Sequence, residues 1–214
     1  GRRRHTSRKS QMSSGEETSE NALLTRYART VDEALRAVLS GQERPLIIAA
    51  AEPMASIYRS VSTYPHTVSE SLGGSADHTA DHVLADQARS VLDGLYAADI
   101  SAFRDLYTTR EAQGRATADV AHAARAATFG AIDTLLVDMD AVVPGTVEDE
   151  DGAVTLADHA SADTYGVVDE IVSRALKSGA RIIAARKDDV PGNGVLAAIL
   201  RFAILWRQGL SWHH

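Results

Sequence analysis

The sequence contains no cysteine, which removes disulfides, thiolate metal sites and cysteine nucleophiles together. It also lacks any apolar stretch approaching the roughly 20 residues that cross a bilayer, and no hydrophobic signal region follows the charged N-terminus. A soluble, cytoplasmic protein is therefore expected. Aromatic residues make up only 5% of the chain, so close packing of alanine-rich helices must do what large rings do elsewhere. Cations are scarce in the body of the chain. Arg2, Arg3, Arg4, Arg8 and Lys9 form a basic start, and beyond them 17 bases face 29 acids. Binding to a phosphate backbone is driven by Lys and Arg, so the acidic body argues against a folded nucleic-acid-binding domain; the basic start could touch nucleic acid, but reads rather as a flexible charged end without function.

What is present is 44% hydrophobic residues over 214 positions, enough for one large domain or a small domain joined to part of another. Residues 1–20 are polar and aperiodic and read as a disordered tail. Leu23, Tyr27, Val31, Leu35 and Val38 then recur at helical spacing, with Gly41 as a stop. The run Leu46 to Ala51 has the length of a strand buried on both faces, and Met54, Ile57, Tyr58 and Val61 suggest a short helix opened by Pro53. One buried strand needs neighbours on both sides, and residues 1–72 are expected not to supply them.

Residues 73–82, with Gly73 and Gly74, read as a linker. From Val83 to Leu106 helical spacing returns for one long helix or two collinear ones, ended by Gly114. A helix over 119–128 stops at Gly130 and leads into the apolar strand Ile132–Val137. Residues 143–161, carrying Pro144, Gly145 and the acids Glu148 to Asp151, read as an exposed loop or a marginal hairpin. The helix–strand unit then repeats: Val167 to Leu176, Gly179, and the strand Arg181–Ala185, with a last strand candidate at Ile199–Leu205. Such alternation predicts layered α/β packing, with the 132–137 and 181–185 strands adjacent in one sheet.

Several segments carry a resemblance. "ATFGAIDTLLVD", a polar insertion, "ALKSGARIIAAR" and "NGVLAAILRF" follow one another in the order of the third domain of archaeal and eukaryotic release factors and of Pelota. "RYARTVDEALRAVL", "RPLIIAAAE" and "IYRSVSTYPHTV" are similar to the end of the middle domain in the bacterial archaeo-eukaryotic release-factor-like family. The resemblance covers about residues 23–205. It implies an L7Ae-like αβα sandwich over 83–205, preceded at 21–72 by the trailing part of an RNase-H-like middle domain, with 206–214 as a C-terminal tail. It also implies partners: the ribosome or a translational GTPase, bound through residues 83–205. Release activity in the family requires a glycine-glycine-glutamine loop. The nearest tripeptide here is Gly73-Gly74-Ser75, which reads as a flexible turn, so no peptidyl-tRNA hydrolysis is expected.

Other candidate chemistry is weak. His78 and His82 are four apart, a spacing that would place two imidazoles on one helix face, but no third ligand follows. The Glu148–Asp151 cluster lacks the ligand spacing of a calcium loop. No metal, cofactor or catalytic residue is assigned. Gly192, Asn193 and Gly194, with Arg201, fall in the segment that distinguishes the family and form a candidate partner-binding surface. The alternative is a structural turn with a solvated arginine. The expected function is a translation-associated binding protein of rescue or dormancy. A small-molecule enzyme and an oligomerising module using alanine-rich faces stand as alternatives.

Overall fold

A computed structural model describes residues 9–74, 76–159 and 166–204, with side chains from residue 19 onward. Ser75, the C-terminal tail with Trp206 and Trp212, and the first eight residues lie outside that set. The chain divides into two compact units, Gly1–Leu95 and Tyr96–His214. The division falls within a helix rather than at the 73–82 linker. Each unit is described by itself.

The first unit opens with helix α1 (Lys9–Leu39), so the helix begins inside the segment expected to be a tail through residue 20. Strand β1 (Leu46–Ala49), helix α2 (Met54–Val61), strand β2 (Thr67–Leu72), a single 3-10 turn at Ala76–His78 and the start of α3 (Asp81–Glu111) follow. Pro53 caps α2 from outside rather than occupying its first turn. β1 is not buried on both faces as its composition suggests. All four residues are half-buried, and among the described residues β2 is its single strand partner, in parallel. Ile47 and Ala49 pack with Val68, Leu72 and Val91, leaving Leu46 and Ile48 on the opposite face by the alternation of a strand.

α1 and α2 meet through Ala28 and Ala55, both fully buried. Asp32 is buried beside them. Its carboxylate accepts the Thr63 N–H at 3.0 Å and the Thr63 hydroxyl at 2.8 Å, with Arg36 at 3.6 Å. Burial works to raise the pKa of this group. The two bonds from Thr63 and the nearby guanidinium outweigh it and hold the pKa below the ordinary aspartate value.

The second unit is a three-layer sandwich. Its sheet has the order β3 (Ala116–Thr117), β8 (Leu196–Leu200), β4 (Ile132–Asp138), β7 (Arg181–Ala185). β4 and β7 are adjacent and parallel, from Thr134 opposite Arg181 to Asp138 opposite Ala185. β8 runs antiparallel to β4, with Leu135 opposite Ala198. It begins and ends earlier than the 199–205 reading, and β3 was not foreseen. Side chains alternate across the sheet. Ile132, Leu135, Leu196, Ala198 and Leu200 face helices α4 (Val120–Thr128) and α5 (Val167–Lys177). Leu136, Ile183, Ala197 and Ile199 face Ile100, Phe103 and Tyr107 of α3.

α4 is capped by Asp119, whose side chain accepts the His122 N–H at 2.7 Å. The alanines 123, 124, 126 and 127 are buried there, so this alanine-rich face is taken up by the core and is not available for self-association. α4 and α5 end in the same way. Gly130 and Gly179 adopt φ of 64° and 75°. Ala131 and Ala180 then donate back to Ala126 O at 2.8 Å and Ala175 O at 2.9 Å, the Schellman arrangement that only a left-handed residue closes cheaply. Between the repeats, β5 (Gly145–Val147) and β6 (Val154–Leu156) form an antiparallel hairpin.

Candidate partner-binding surfaces

The four residues singled out from the sequence do not come together. Gly192 and Asn193 are exposed in the second of two 3-10 turns (Lys187–Asp189 and Pro191–Asn193). They lie with Gly194 beyond the C-terminal ends of β4 and β7, where Asp138 N–H bonds Val195 O at 2.9 Å. Arg201 lies at the other end of β8, a strand of five residues or about 17 Å.

The 186–194 loop is braced rather than free. Tyr96 OH donates to Asp189 Oδ2 at 2.7 Å and accepts the Arg186 N–H at 3.0 Å. The Arg186 guanidinium stands 5.2 Å over the Tyr96 ring. Arg104 donates to Asp188 O at 3.1 Å and to Asp189 Oδ1 at 3.2 Å. Burial, followed by the bond to Asp189, raises the Tyr96 phenol above its usual value, so this hydroxyl stays a donor across neutral pH. The loop presents Gly192 and Asn193 on a fixed support, and Met139 and Val142 of the loop after β4 are exposed.

Arg201 is a structural clamp. Its guanidinium donates to Gly130 O at 3.3 Å and to Ser178 O at 3.0 Å. These are the carbonyls of the turns that end α4 and α5, groups that helix termini leave without partners. Its backbone N–H bonds Ala131 O at 2.8 Å, and its carbonyl accepts from Arg115. A merely solvated arginine does not describe this arrangement, since the exposed side chain is fixed by both turns.

Around that clamp three large apolar side chains reach solvent: Phe129 at 54% exposed, Leu176 at 57% and Phe202 at 53%. Each is within two residues of Gly130, Ser178 or Arg201, so the Schellman turns and the end of β8 gather them at one end of the sheet. Exposed apolar groups gathered in this way mark protein-binding sites more often than scattered ones do. Sequence reasoning missed them because each looks like the last core residue of its element. The available signal was position, since Phe129 and Leu176 stand one and three residues before a helix-stopping glycine.

The remaining candidates resolve as structure. His78 ends a 3-10 turn and His82 opens α3, so they do not share a helix. Among the described residues no group of histidines and acids is placed to hold a metal, and no helix is long and apolar enough to cross a membrane. The acidic hairpin is held by Arg174, 11% exposed, which pairs with Asp149 at 2.7 Å and Glu170 at 2.7 Å. It also donates to Val147 O at 3.1 Å, Glu148 O at 2.9 Å and Thr128 Oγ1 at 2.7 Å.

This α/β architecture is that of the release factors and their relatives. The chain is similar to archaeal Pelota in a model of ribosome-bound archaeal Pelota and ABCE1, with 16% identity, a TM-score of 0.50, and coverage of 84% of this chain and 50% of that one. At that identity the likeness is one of fold. The C-terminal domain of the peptide chain release factor from Methanosarcina mazei aligns at 19% identity with a TM-score of 0.45, over 59% of this chain and 98% of that domain. Pelota from Archaeoglobus fulgidus aligns at 17% and 0.41, over 79% of this chain and 52% of that one. The chain thus spans about half the length of the Pelota proteins. Residues 1–98 match the sequence model of bacterial archaeo-eukaryotic release factor family 11. No curated protein matches the sequence.

Proposed function

We propose that this chain is a translation-associated binding factor that engages the ribosome or a translational GTPase in rescue or dormancy, without hydrolysing peptidyl-tRNA. The match of residues 1–98 to a release-factor family carries the reading, and the shared fold with a ribosome-bound archaeal Pelota supports it. Docking uses the folded surface of the second unit at the Arg201 end, where Phe129, Leu176 and Phe202 are displayed on turns held by hydrogen bonds. A rigid, apolar display suits a protein partner, because little ordering entropy opposes its burial.

Co-sedimentation of the chain with bacterial ribosomes, and pull-down of purified translational GTPases, test the proposal. Binding is expected to survive replacement of Arg2, Arg3, Arg4, Arg8 and Lys9 by glutamine and to change little with salt. It is expected to fall at least tenfold in a Phe129→Asp/Phe202→Asp double variant, as burial of two aromatic anchors commonly contributes 2 kcal/mol or roughly thirtyfold. Binding that disappears with the five cations would instead assign the interaction to a basic arm, whose affinity falls steeply with salt. Peptide release from stalled ribosomes above buffer background would overturn the non-hydrolytic part.

A further inference from the structure

We draw no further inference here: the strongest candidate, the apolar groove of the first unit between the Leu24, Tyr27, Val31 and Leu35 stripe of α1 and strand β1, carries nothing because no feature of the structure shows what covers it.

Discussion

Leu46-Ile47-Ile48-Ala49 and Leu196-Ala197-Ala198-Ile199-Leu200 are strands of nearly the same chemistry in the two units. Every residue of β8 is buried, while every residue of β1 is only half-buried. β8 has β3 on one side, β4 on the other and helices on both faces. Among the described residues β1 has one strand partner. Burial is thus a property of the neighbours a strand acquires, and apolar composition states only how many it would accept.

The sharpest way to break this comparison is to cut the same kind of side chain from each sheet. Leu135→Ala, in the fully buried middle of β4, is expected to cost about 3 kcal/mol. Ile48→Ala on β1 should cost about 1 kcal/mol, because a half-buried side chain gives up less contact. Urea unfolding followed by circular dichroism measures both, and equal costs would mean that β1 is covered in solution by something other than β2.

Next in size is Arg174→Ala, with an expected loss of about 2 kcal/mol. This little-exposed guanidinium satisfies two hairpin carbonyls and Thr128 as well as two acids. Hydrogen exchange should localise the loss to the β5–β6 hairpin. Lysine should not restore it, for an ammonium cannot serve that fan of acceptors.

Asp32→Ala probes the first unit and should cost about 1.5 kcal/mol, by loss of two bonds to a charged acceptor. The sign of its pH dependence follows from the lowered pKa. The stabilisation is fully present above the ordinary aspartate value of 3.8 and disappears as pH falls through the lower folded value. Acid titration of stability in the variant should be flatter in that range, and an unchanged titration would place the acid sensitivity elsewhere.

The smallest expected effects separate clamp from surface. Arg201→Ala should lower stability by about 1 kcal/mol, since the two turn carbonyls it serves can turn to water. Arg89→Ala, which breaks an exposed pair with Asp86, should lie within about 0.5 kcal/mol of the parent in the same melts.

Legibility in the sequence divides along similar lines. The α4–β4 and α5–β7 repeats could be read directly, because each joins an amphipathic helix to an apolar run through a glycine that takes a positive φ. β2 could not. Thr67-Val68-Ser69-Glu70-Ser71-Leu72 buries Val68 and Leu72 across a register irregularity, which hides the period of two. β3 is too short to show a period. β8 was placed three residues late because residues 195–205 are apolar except for Arg201, and that arginine's carbonyl partners, which fix where the strand stops, belong to distant turns. The likeness to release factors was visible in order and spacing. The exposed aromatic end of the second unit was not, since exposure of Phe129 and Phe202 depends on which face the sheet closes.

The position of β8 also bears on how the second unit is made. It is the last strand among the described residues, yet it lies inside the sheet, and β3 pairs with no other described strand. During synthesis α4, β4, α5 and β7 leave the ribosome before the strand that joins β3 to them exists. Residues separated by some eighty positions, Ala116 and Ile199, must then meet. Such distant pairing slows assembly and keeps apolar edges open while it lasts. A nascent chain halted before Leu196 would therefore present β4 with one edge unpaired, and the time spent in that state depends on the pace of elongation itself.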